Sequence, residues 1–414
     1  MSRLMVPGVQ LAAAALAFVL WFRFGAVAPL DLQVTPARSF GFGSVLGLVI
    51  PLGLPYLVPN LYRGTTIEQR RGHGEWSDAI SFTVAALVTS ALLGATWTVV
   101  APESTLGPSV GVGAMIGMGI TIAQVARARS AVPLMAVGAS LQVLVPTWWL
   151  VAGALRPAFP HASVTFGLLA SASVALSACS IRSQLRRGRR GGLRGQLRLA
   201  LPVVPHLLAF GVLVQGLRLA SAASGQPGLA LEGHYLMLAL SAGLALLMSG
   251  HAMVAVEAQA MTDEDLASGT PRYVRDYLLL STGSGLGTVI ALWAVVEYLA
   301  PVHMAYPTWV WILLCSVVPV LGIYFSFSTM LLRGNRTRAL ATSSLVALAL
   351  AVLGSLLVPG HLAPLVAVYF SAILLLLGMV VVQQGMGERR PTLLQLARLA
   401  PAVGPSALLA VLVF

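Results

Sequence analysis

Ile181–Arg198, IRSQLRRGRRGGLRGQLR, is the longest polar, Gly-rich stretch in a chain of 414 residues, and it stands close to the middle. Six apolar runs precede it, near 7–29, 40–62, 78–101, 108–127, 131–153 and 161–181. Seven follow it, near 199–221, 234–257, 276–299, 308–332, 339–358, 362–384 and 398–414. A helix of about 20 apolar residues, rising 1.5 Å per residue, crosses the hydrocarbon layer of a bilayer. Barrel strands are half as long and alternate in polarity, so these runs exclude a transmembrane β-barrel. The reading is an all-α polytopic membrane protein with about 12–13 transmembrane helices. The basic stretch at 182–198 is then a linker between two six-helix lobes, 1–181 and 199–384. Residues 385–414 form an additional C-terminal helix.

Composition supports the same class. Hydrophobic residues make up 57% and charged residues 9%, against about 25% charged in an average soluble protein. Mean hydropathy is +0.87. A soluble fold of this length needs a charged surface that this sequence cannot supply. The formal charge is +12, and every cation is Arg. These cations are strung along short loops, which disfavours nucleic acid as a partner. Cys179 and Cys315 lie inside apolar runs, make no metal-ligand spacing and suggest no disulfide framework. Gly111-Val-Gly113 and Gly283-Ser-Gly285 sit in apolar helices with no strand before them, so they are not nucleotide loops. No cofactor or metal is expected.

The Arg residues also orient the chain. With the N-terminus inside, Arg3 and the even-numbered connections hold 21 of the 25 cations, seven of them between Arg182 and Arg198. The odd connections hold only Arg38 and Arg156, and Arg23 and Arg218 lie within spans. This is the positive-inside pattern. The first run, closing on Ala26-Val27-Ala28, resembles a signal peptide, but Arg23 inside the run argues against cleavage. Single cysteines at Thr65 and Gly188 are therefore expected to be shielded from an impermeant thiol reagent applied outside, and one at Thr105 to be reached. Outside labelling at position 188 would sink this topology.

The two lobes share landmarks. Pro7 is followed sixteen residues later by Arg23, and Pro202 sixteen later by Arg218. FGFGSVLGL (Phe40 to Leu48) opens the second helix of one half, and EGHYLMLAL (Glu232 to Leu240) that of the other. The fourth helix of each half ends in a basic turn, Arg127-Ala-Arg129 and Arg333-Gly-Asn-Arg336. Six crossings return the chain to the same face, so the repeats are parallel. Duplicated helical halves usually mean a transporter. Pro51, Pro55 and Pro59, and Gly283, Gly285 and Gly287, could interrupt helices for bending. For the glycines, packing through small residues is the competing reading.

Particular segments then point to a family. Leu201-Pro202-Val-Val-Pro205-His206, with Arg218 after it, resembles the start of the seventh helix of bacterial polysaccharide flippases, members of the MATE-like multidrug/oligosaccharidyl-lipid/polysaccharide exporter superfamily. Gly233-His-Tyr235 resembles that family's Gly-x-Tyr at the head of helix eight. Tyr324 to Thr337 resembles helix ten and its basic turn, and Leu52-Gly53-Leu54-Pro55 a motif of helix two. The resemblance covers roughly residues 6–384. Leu217 stands where the family commonly has an acid, and a thirteenth span is unusual for it.

The resemblance implies a MATE-like arrangement and a transporter of polyprenyl-diphosphate-linked oligosaccharide in the bacterial cytoplasmic membrane, serving surface polysaccharide synthesis. Membrane lipids, and a polysaccharide polymerase or glycosyltransferases, are the implied partners. A buried Arg costs about 2.5–3.5 kcal/mol on insertion scales. If the halves face each other as in the resembled family, Arg23 and Arg218 could line a central cavity and grip the diphosphate. Snorkelling to headgroups is the alternative. Glu297, His206 and His251 are candidates for ion coupling or ion pairing, with interfacial placement or packing as the plainer roles. A multidrug exporter of the same fold is the alternative within transport, expected to show more acids in the N-terminal helices. A polytopic polymerase or glycosyltransferase is the alternative as an enzyme, disfavoured by outer loops of only about 5–15 residues.

Overall fold

The computed structural model describes residues 2–54, 77–101, 104–128, 137–138, 140–155, 197–198, 200–260, 263–299, 304, 306–333, 336–358, 360–385 and 389–414. Among them every regular element is helical. They form two compact units, Met1–Gly211 and Val212–Phe414.

Seven helices among the described residues are long and apolar enough to cross a bilayer: Leu106–Gln124, Pro227–His251, Tyr273–Tyr298, Thr308–Leu332, Thr337–Leu357, Leu362–Gly385 and Thr392–Val413. An eighth span is broken, with Leu201–Val214 and Gly216–Ala223 meeting at 68°. Shorter apolar helices, Leu11–Val27, Phe82–Thr98 and Ser140–Leu155, stand where the first, third and fifth runs were expected. The protein is thus an all-α polytopic membrane protein. The sixth expected run at 161–181, Arg156, Cys179 and residues 182–196 of the linker lie outside the described residues.

The first unit begins with α1 (Ser2–Val27) and α2 (Leu30–Val49). Gln33 donates from Nε2 to the carbonyls of Ala28 at 2.7 Å and Gly25 at 3.3 Å, occupying acceptors that the end of α1 leaves open. Trp21 donates to Thr147 Oγ1 at 3.1 Å and packs edge-on against Phe24 and Phe40. Next come α3 (Ser77–Val100) and α4 (Leu106–Ala128), then a π-turn at Ser140–Leu144 leading into α5 (Val145–Leu155). A glycine seam joins α2 to α4. A Cβ at Gly43 would lie 2.4 Å from Val112 Cγ1, and one at Gly47 2.6 Å from Ile116 Cγ2. Lipid supplies no hydrophobic drive between helices, so close backbone approach over small residues takes its place.

The second expected run departs from the sequence reading. The helix starts at Leu30 rather than near 40 and ends at Val49. Pro51 lacks a donor, and Leu52 (φ 51°) and Gly53 (φ 71°) turn the chain through left-handed conformations. Gly53 also has no space for a side chain, since a Cβ would sit 2.9 Å from the Ala200 carbonyl oxygen. Arg38, expected in an outer loop, therefore lies inside α2. It is half-buried, and its Nε is buried without a hydrogen-bond partner. Pro55 and Pro59 lie outside the described residues.

In the remaining chain α6 (Val204–Val214) and α7 (Gly216–Ala223) form the broken span. They are followed by α8 (Pro227–Ala260), α9 (Asp263–Leu299), α10 (Thr308–Arg333), α11 (Thr337–Leu357), α12 (Leu362–Gly385), α13 (Arg389–Leu399) and α14 (Gly404–Val413). The span in α10 is 89% buried and is the central helix of its unit. α9 runs unbroken through Gly283, Gly285 and Gly287. Gly285 is a packing position: a Cβ there would lie 2.7 Å from Pro319 Cγ and 3.1 Å from Ser406 Cβ. The last span is therefore seated on α9 and α10, and Phe414 stacks on Trp311 at 4.4 Å and 14°.

Candidate functional site

Gln215 separates α6 from α7, with φ −90° and ψ 6°. The neighbouring Gly216 is tightly packed. A Cβ at that position would fall 1.7 Å from Tyr369 Cε1, so the α12 ring packs directly on the backbone. Directly after the break, α7 buries Gly216, Leu217, Arg218, Ser221 and Ala222. Arg218 is only 1% exposed. Its Nη1 donates to Gln215 Oε1 at 2.7 Å, and its Nη2 lies 3.5 Å from the carbonyl oxygen of His234 on α8. Protein groups thus enclose the guanidinium in the state described. Beside the break is a small apolar cavity of ≈ 20 Å³, lined by Leu213, Leu217, Met237, Leu314, Tyr369 and Phe370 among others.

The other candidates from the sequence have separate surroundings. Arg23 is exposed on α1, between the buried Trp21 and Phe24. His206 is buried in α6, its ring 5.8 Å from Phe210 one turn on. His251 Nδ1 lies 2.6 Å from the Tyr277 hydroxyl, and its ring stacks on Phe325 at 4.6 Å. Tyr273 completes this group, donating to the Ser326 carbonyl at 2.9 Å. Glu297 is exposed, beside Tyr298 and one turn from Trp293. Those two rings meet edge-on at 5.7 Å, and Trp and Tyr are enriched where spans leave the bilayer. Arg218 and His251 share no hydrogen-bond partner among the bonds described above.

Sequence reasoning passed over Gln215, His234, Glu232 and Tyr306. Glu232 is half-buried in the second turn of α8 and accepts a hydrogen bond from the Tyr306 hydroxyl. Burial, and then this bond and the carboxylate charge, push the Tyr306 phenol well above its usual range. The signal was present: Glu232 is an acid flanked by apolar sequence, to which the insertion-cost argument used for Arg23 and Arg218 applies equally.

Solved structures share the architecture. A MATE transporter crystallised in complex with MaL6 matches with a TM-score of 0.52 at 11% identity, over 97% of this chain and 96% of that one. The eukaryotic MATE transporter AtDTX14 matches with a TM-score of 0.48 at 14% identity, over 94% and 98%. The sequence matches no family model and no curated protein. The likeness to the first of these structures defines the class as a membrane protein of MATE-like fold.

Proposed function

We propose that the protein is a flippase that moves a polyprenyl-diphosphate-linked oligosaccharide across the bacterial cytoplasmic membrane, N-terminus inside, for surface polysaccharide assembly. The observation that carries this reading is Arg218, a guanidinium enclosed at a helix break in a membrane protein of MATE-like fold. Broken spans with polar groups at the break are where transporters hold their substrates. A diphosphate matches the planar fork of Arg, which offers paired donors. The substrate reaches Arg218 by displacing Gln215 and the His234 carbonyl. Arg23, exposed on α1, is proposed as a separate phosphate contact. Glu297, His206 and His251 are the proposed coupling groups, and a polymerase or glycosyltransferases the enzymes that make or consume the lipid-linked sugar.

Proteoliposomes carrying a fluorescent polyprenyl-diphosphate oligosaccharide test this. Protein-dependent loss of label protection is expected, with no movement of lipophilic cationic dyes. Movement of dyes without the lipid would replace the reading by multidrug export, which the fold likeness to a MATE transporter favours equally. Failure to move the lipid in active, folded preparations would overturn it.

A further inference from the structure

Three consecutive residues in the second turn of α8 are each committed to a different neighbour. Glu232 accepts the Tyr306 hydroxyl. Gly233 faces α7 so closely that a Cβ would lie 2.0 Å from Ser221 Oγ and 3.0 Å from the Leu217 carbonyl oxygen. The His234 carbonyl lies 3.5 Å from Arg218 Nη2. One helical turn carries all three contacts, so a rotation or shift of this turn disturbs them together. On the far side of Tyr306, its ring meets Trp311 at 5.7 Å, and Trp311 stacks on Phe414. A line of contacts therefore runs from the last span, through the segment before α10, to the turn of α8 that seats α7.

We propose that Glu232 and Tyr306 are positioning residues for Arg218. Their hydrogen bond sets the rotation of α8, which holds Gly233 and the His234 carbonyl against α7 and so fixes the guanidinium after the break. The last span braces Tyr306 through Trp311. The bond suits that task because a carboxylate acceptor in a partly desolvated place makes a strong hydrogen bond. Removing the donor leaves a half-buried carboxylate unsatisfied. This proposal rests on the reading of Arg218 as the phosphate ligand, and it gives the last span a structural task in that site.

The full-length protein in nanodiscs tests it, with Tyr306→Phe, Glu232→Ala, Glu232→Gln, Phe414→Ala and Arg218→Gln compared with wild type. Hydrogen exchange is followed for residues 216–223 and for 310–330, and inorganic pyrophosphate binding by calorimetry. Tyr306→Phe and Glu232→Ala should speed exchange in 216–223 and weaken pyrophosphate, each by about tenfold, while 310–330 stays protected. Glu232→Gln keeps an acceptor oxygen for the phenol and should retain most of both properties. Phe414→Ala should act in the same direction, but less. Unchanged exchange in 216–223 for Tyr306→Phe would overturn the proposal. So would equally faster exchange in both segments, which marks a general loss of stability. Should Arg218→Gln bind pyrophosphate like wild type, the phosphate-ligand reading fails instead, and the exchange data still decide the positioning role.

Discussion

Arg218→Gln is expected to reduce flipping in proteoliposomes by about 30-fold or more, with the protein still folded and inserted at wild-type levels. Truncating one partner of a buried, hydrogen-bonded charge contact typically costs about 2–5 kcal/mol, which corresponds to roughly 30-fold to several-thousand-fold. The guanidinium is 1% exposed and lies in α7 directly after the break, so water cannot substitute for it. Arg218→Lys retains the charge and loses the planar fork, and should leave about a tenth of the activity. Arg23→Gln should cost less, because Arg23 is exposed and solvent or headgroups can stand in for part of its role. Wild-type transport by Arg218→Gln would mean that the residue serves only to fill its place between α7 and α8, and the substrate site would then have to be sought elsewhere.

Gly216→Ala is expected to be the most damaging single methyl group in the C-terminal unit. The added Cβ would meet three ring atoms of Tyr369, at 1.7, 2.2 and 2.5 Å. The ring is 7% exposed and stiff, so it cannot turn aside without disturbing α12. Overpacking of this kind costs about 1–3 kcal/mol, visible as a lower melting temperature of the purified protein. Tyr369→Ala in the same chain removes the obstacle. The double variant should therefore be more stable than the sum of the two single effects, since contacting residues are coupled. A wild-type melting temperature for Gly216→Ala would mean that Tyr369 does not clamp the break. The functional consequence follows from position: Gly216 precedes Arg218 by two residues, so any shift of α7 that relieves the clash also moves the guanidinium.

Sequence reasoning placed helices on the right segments wherever the local signal was sufficient. The apolar runs at 308–332, 339–358 and 362–384 correspond to helices whose ends differ by a few residues. Arg218 was legible as a candidate because an Arg in an apolar run is costly wherever the run folds. The start of the second helix was not legible. Residues 30–39 contain Asp31, Pro36 and Arg38, which lower the local hydropathy, yet they are helical because Gln33 ties α2 to the end of α1. That bond spans five residues and is not registered by apolar length alone, and Arg38 stands in a helix rather than in the expected loop.

The break between α6 and α7 was hidden for a related reason. Gly216 is one of 41 glycines, and nothing in its neighbourhood separates it from Gly285, which lies in an unbroken helix. The Tyr369 ring that packs on Gly216 comes from 153 residues further along the chain. Glu232 presents the same case, because its partner Tyr306 is 74 residues away. Insertion into a bilayer is decided segment by segment, through the apolar length and flanking charge of each run, and those quantities are local. Local sequence therefore fixes the membrane class and most of the helices among the described residues. Where a helix breaks, which glycine must stay a glycine, and which polar groups meet depend on pairwise contacts between distant segments. Those were decided by the tertiary structure alone.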